Sequence, residues 1–147
     1  MKSLLFNSNN DLTGLITRLT LGLVVFPHGA QKMLGLFGGY GFSGTMNFFT
    51  GTLHLPWIIG FLVIIIEFFG AIGLILGFAS RIWSALMILL FIGIIYSSHL
   101  ENGFFMNWFG NQKGEGYEFH LLIIGLSLAV FVNGSGKYGI DRTIKGK

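Results

Sequence analysis

Hydrophobic and polar positions follow one another along this chain in long blocks. Four apolar runs can be marked, at residues 12–34, 57–78, 82–98 and 119–133, separated by stretches rich in glycine, amides and charge. A helix that crosses a bilayer needs about 20 mostly apolar residues, within a working range of roughly 17–25. The first three runs reach that range, and the fourth does so once residues 116–118 or Gly134 complete it. The pattern predicts an all-α fold, an integral membrane four-helix bundle with helices over about 12–34, 57–78, 82–99 and 117–133 in one domain spanning 1–147.

Within the first run, Gly14, Arg18, Gly22, Gly29 and Lys32 fall on one stripe at about 100° per residue, with His28 on its flank. Small residues beside charges mark a face turned toward other helices, because close backbone approach is how membrane helices associate. Pro27 points the opposite way and is expected to kink the helix. In the second run Gly60, Glu67 and Ala71 share a face, and Gly73 with Gly77 forms a small-xxx-small pair. The third run ends with Tyr96 and His99 on neighbouring faces. In the fourth, Glu118, Leu122, Gly125 and Ala129 line one stripe and His120 points away from Glu118. Between the first two runs, Phe42, Met46, Phe49 and Leu53 recur at helical spacing, which predicts a short interfacial helix. The stretch FGGYGFSG is no phosphate loop, since no strand precedes it and no GK[ST] follows. The loop after the third run mixes aromatics with amides, as at a membrane–water boundary.

Composition reinforces the membrane assignment. Of 147 residues, 52% are hydrophobic and 10% charged, against roughly 25% charged in a soluble domain. Mean hydropathy is +0.72. The N-terminal MKSLLFNSNND lacks the apolar core of a signal peptide, so the first helix is expected to be retained. The absence of cysteine removes thiolate chemistry and thiolate metal ligands. The formal charge of +3 matters through its placement. Arg81 lies in the turn between the second and third runs, and Lys137, Arg142, Lys145 and Lys147 follow the fourth. The positive-inside rule then puts both termini in the cytoplasm, with residues 38–41 and 111–116 outside. The basic tail is a topology signal, and nucleic acid is excluded as a partner.

Arg18 lies about 9 Å from the inner end of its helix and Glu67 about 16 Å from the inner end of its own, at 1.5 Å per residue. An unpaired charge at a helix centre costs about 2.5–3.5 kcal/mol, so an Arg18–Glu67 pair is expected, either as a structural bridge or as a proton relay. His28 and His99 fall at one depth, with Lys32 one turn above His28 and Glu118 at the mouth of the fourth helix. Together they suggest a polar pocket in the outer leaflet. Two histidines at equal depth also suit a b-type haem, though nothing in the spacing is specific to one, and no second close ligand pair supports zinc. His54 and His120 read as interfacial side chains.

These motifs resemble those of the DoxX family of small four-helix bacterial membrane proteins. The likeness runs from about Leu12 to Asp141 and rests on Arg18-Leu-Thr-Leu-Gly22, His28-Gly-Ala-Gln-Lys32, Phe37-Gly-Gly-Tyr-Gly41, Glu67 with Gly70 and Gly73, His99, Glu118, and Gly134-Ser-Gly136 with Asp141. Ser135 stands where the family often has proline, with little consequence expected. The resemblance implies a cytoplasmic-membrane protein linked to quinone or thiol redox systems. It makes Glu67, His28 and His99 candidate catalytic residues and Arg18, Lys32 and Glu118 candidate quinone-binding residues. A non-catalytic accessory or assembly subunit, docking a partner protein or a second copy, is the alternative. A small-solute or proton transporter is a third reading, without the broken-helix repeats of that class.

Overall fold

The computed structural model describes Phe6 and residues 8–145, with the side chain of Lys145 left aside. The sequence readings that involve Lys2 and Lys147 lie outside the described residues. Among the described residues the only regular secondary structure is helical, with no strand. Helix α1 (Leu12–Leu34) runs unbroken through Pro27. Asp11 starts it by accepting a hydrogen bond from Gly14 N at 2.6 Å, and Gly35 ends it in a left-handed conformation. Helix α2 (Gly41–Asn47) continues as a π turn over Phe48–Thr52. The second span, α3, is made of Trp57–Ile65, a π turn over Ile66–Gly70, and Ala71–Leu76. Next comes α4 (Ser80–Ile94), extended by a π turn over Ile95–His99 and a 3-10 turn to Asn102. Helices α5 (Glu118–Asn133) and α6 (Ile140–Lys145) complete the chain.

The spans α1, α3 and α4 are long and apolar enough to cross a membrane, whereas α5 has 16 residues and is shorter. The four form an antiparallel bundle around Leu21, Val25, Leu74, Met87, Ile123 and Val130. The predicted ends shift by up to three residues. Span α3 stops at Leu76 because Gly77 takes φ 68°, a turn that any residue with a Cβ resists. The helix expected in the first loop exists, and it packs on the bundle. Its Met46 and Phe49 are buried against Val63 and Ile64, while Leu53 stays exposed.

Spans α1 and α3 meet through small residues. A Cβ on Gly22 would sit 3.0 Å from the Ala71 carbonyl oxygen, and one on Gly29 would sit 2.6 Å from the backbone of Glu67 and Phe68. These contacts set the register. Gly29 is level with Glu67, while Arg18 is level with the end of α3 at Gly77, where its guanidinium carbon would lie 3.0 Å from an added Cβ. Helix α1 therefore begins beyond the end of α3 and finishes short of its start. Helix α2 covers the step, with Phe49 pressed on Gly60.

Both chain ends gather at one end of the bundle. Asn9 N donates to Asn133 O, Lys137 N to Asp11 O, and Arg142 Nη1 to Asn10 Oδ1. This is the terminal end; the loop end carries α2 and the 103–117 hairpin.

Candidate functional site

The six residues singled out in the sequence divide between the two ends. Arg18, 2% exposed, does not pair with Glu67. Its Nε donates to Ser135 O at 2.6 Å, Nη1 to Leu74 O at 3.0 Å and Ile75 O at 2.5 Å, and Nη2 to Lys137 O at 3.3 Å. The expected pair fails because depth was counted from each helix's own end, as though the ends were level. Arg18 instead faces the last carbonyls of α3, which carry its negative dipole end; Leu74 O also accepts from Gly77 N.

The countercharge on that side is Asp141, which is buried. Its carboxylate accepts from Ala79 N at 2.6 Å and Ser80 N at 2.9 Å, capping α4. Its own N–H donates to Gly77 O. Ser135, expected to matter little, supplies a carbonyl to Arg18 and a hydroxyl to Ser8. The small Gly134-Ser-Gly136 turn is what lets this segment sit against Gly14, where an added Cβ would be 2.7 Å from Gly136 Cα.

Glu67, 3% exposed, pairs instead with Lys32, whose Nζ lies 2.6 Å from Oε2. Contact at Gly29 brings the helices close enough for Lys32, three residues on, to reach the carboxylate. Glu67 lies in the π turn of α3, and His99 in that of α4. Such turns recur at functional sites because the inserted residue re-aims its neighbours.

His99 donates from Nδ1 to Glu115 O at 2.8 Å. A carbonyl only accepts, so in the neutral ring the proton is on Nδ1 and Nε2 carries a lone pair. Against His99, with ring centroids 4.2 Å apart, lies His120. This residue is not interfacial as the sequence reading had it. It is 7% exposed, enclosed by Phe91 at 5.7 Å and Phe119 at 5.8 Å. Its Nδ1 finds no hydrogen-bond partner among the described residues. His28 sits on the open flank with its ring 6.3 Å from Phe119, within electrostatic reach of Lys32, Glu67 and His120.

Glu118 leaves the expected pocket. Its Oε1 accepts from Met106 N at 3.0 Å and Trp108 Nε1 at 2.9 Å, so it holds the hairpin. The stripe of Leu122 and Gly125 drawn from it faces outward. The buried side of α5 is His120, Ile123, Ser127 and Val130. No group of three or more metal-type ligands gathers among the described residues. The loop end thus assembles one ion pair and three imidazoles, a set able to donate hydrogen bonds and carry protons.

A helical membrane bundle with a polar cluster between its spans is the class this fold and site define. The chain belongs to the DoxX family, whose model matches residues 14–100. It is 30% identical over 142 residues to a Bacillus subtilis (strain 168) protein named "Putative oxidoreductase CatD", covering 96% of this chain and 94% of that relative. No solved structure matches it.

Proposed function

We propose that the protein is a redox-associated subunit of the bacterial cytoplasmic membrane, with both termini cytoplasmic, that receives the polar head of a quinone at the Lys32–Glu67 cluster. One observation carries this reading. A buried carboxylate paired with a half-buried ammonium lies beside three imidazoles, one of which has a buried, unpartnered Nδ1. A quinone ring presents two carbonyl oxygens that need donors, and Lys32 with the imidazole N–H groups of His28 and His120 provides them. Bound there, the ring would supply two-electron, two-proton chemistry. Glu67 gains or loses a proton as Lys32 turns between it and the ligand, and His99, tied to the hairpin, passes protons toward the loop end. Arg18 and Glu118 drop out of the binding set because both are committed to backbone and indole donors or acceptors elsewhere. Electrons come from a partner subunit or a soluble donor. The name of the Bacillus relative agrees with a redox role.

The accessory-subunit reading is second, favoured by the Lys32–Glu67 pair already satisfying itself. Organic extraction of the purified protein separates the two. Quinone in near-stoichiometric amount, lost in Lys32→Met and Glu67→Gln, is the expected result. Quinone at the level of protein-free lipid, unchanged in both variants, would leave the accessory reading.

A further inference from the structure

Residues 103–117 display Trp108 and Phe109 at 77% and 89% exposure, a bare apolar surface of the kind that marks an interaction site. The hairpin is built, not loose. Tyr117 N donates to Gly103 O and Glu118 N to Phe104 O across its base. Asn107 N donates to the Glu115 carboxylate at 2.7 Å, and Gln112 N to Asn107 Oδ1 at 3.0 Å. Glu118 then fixes the Trp108 indole. Between hairpin and α5 runs a groove of about 530 Å³ walled by Phe104, Met106, Trp108, Phe119, Leu121 and Leu122 together with Glu118, whose carboxylate oxygen is taken up by Met106 N and the Trp108 indole. Leu121 and Leu122 belong to the outward face of α5, so the groove opens on the side where lipid lies.

Length points to the occupant. At 1.5 Å per residue α5 is about 24 Å long, short of a hydrocarbon core about 30 Å thick. The aromatic hairpin stands directly above its first residue. Its N–H groups at Gly103, Met106, Asn107, Trp108, Gly110, Gln112 and Tyr117 are hydrogen-bonded within the protein, and the others need water or headgroup acceptors, which the boundary supplies and the hydrocarbon core does not. Aromatic side chains favour the headgroup boundary, and the polar tip Asn111, Gln112 and Lys113 is exposed beyond them.

We propose that residues 103–117 are seated in the boundary between headgroups and acyl chains, completing the fourth span, and that the groove behind them takes one acyl chain of a bilayer lipid. Glu118 is the positioning residue that holds the hairpin over α5. The chain has no cysteine, so Phe109→Cys and Lys113→Cys each create a single site for a nitroxide label. In phosphatidylcholine–phosphatidylglycerol nanodiscs, the label at 109 should collide readily with oxygen and poorly with a water-soluble nickel chelate, and the label at 113 should do the reverse. Lipids brominated on the acyl chain should quench the emission component that Trp108→Phe removes. That quenching should persist in Glu118→Gln, whose amide oxygen still accepts, and fall in Glu118→Ala. Free nickel access at 109 would overturn the seating by placing the hairpin in water. Shielding of 109 from both agents would overturn it in favour of a second protein or copy. Unquenched Trp108 would overturn the acyl-chain groove. None of these readouts involves Lys32 or Glu67, so they stand or fall separately from the quinone reading.

Discussion

The terminal and loop ends of this bundle each hold a cation and a buried carboxylate, yet they use them in opposite ways. At the terminal end, Arg18 and Asp141 spend their hydrogen bonds on backbone: four carbonyls for the guanidinium and two amides for the carboxylate. Every bond ties one chain segment to another, and little capacity is left for a ligand. At the loop end, Lys32 and Glu67 bond each other, His120 Nδ1 is unfilled, and His28 faces outward. A charge fixed by backbone is architecture, while a charge fixed by another side chain can be exchanged for a guest.

Arg18→Leu should give the largest effect. It strips the common donor from α3 and the 135–137 turn, and breaking a buried charged network costs about 3–5 kcal/mol. Arg18→Lys should recover little, because an ammonium does not reproduce the guanidinium fork. Unfolding in detergent measures both, and a fully stable Arg18→Leu would show that the terminal end is not the lock. Gly29→Ala is next. A Cβ there meets the α3 backbone at 2.6 Å, and overpacking of this kind costs about 1–3 kcal/mol. Gly125→Ala, with nothing within 4 Å, should melt like wild type. Equal melting of the two would dissolve the α1–α3 register.

Asp141→Ala removes the α4 cap and should cost about 1–2 kcal/mol; Asp141→Asn, which keeps one acceptor, should lose less. Among the charged positions, the smallest stability change is expected for Lys32→Leu combined with Glu67→Leu. Replacing both members of a buried pair is often neutral, within about 1 kcal/mol. Quinone retention should nevertheless vanish. If the double variant unfolds as readily as Arg18→Leu, the contrast between the ends fails. If it keeps both stability and ligand, the cluster is bystander chemistry.

The spans were legible in the sequence because apolar length is a direct readout of bilayer thickness. The stripe Gly14, Arg18, Gly22, Gly29 and Lys32 was legible too; the structure buries the first four and leaves Lys32 half-buried. Pairing was not. Helical periodicity gives the direction of a side chain but not its level against a neighbouring helix. The offset of α1 along α3 is set by Gly22 and Gly29 meeting a particular stretch of backbone. His120 escaped for a different reason. Helix α5 is apolar all round, so a helical wheel offers two equally plausible inner faces, and Glu118 drew attention to the wrong one. The spacing of His120, Ile123, Ser127 and Val130 was available as a signal, but only contact with His99 distinguishes it. Glu118 was misread because its partners, Met106 and Trp108, lie in a loop whose path no periodicity encodes.

The terminal lock also has an order in time. Arg18 leaves the ribosome early, and two of its acceptors, Ser135 and Lys137, follow 117 and 119 residues later. At about 5–20 residues per second, that interval is roughly 6–24 s. The carbonyls of Leu74 and Ile75 arrive midway, so the guanidinium is first half-solvated by α3 and then closed over by the final turn. Nascent α1 and α3 can thus dock before α5 exists, but Arg18 gains its other two acceptors only when residues 135–137 emerge. Residues 135–141 fasten a structure otherwise already in place, and a chain stopped before Ser135 lacks two of the four acceptors of Arg18 and the Asp141 cap of α4.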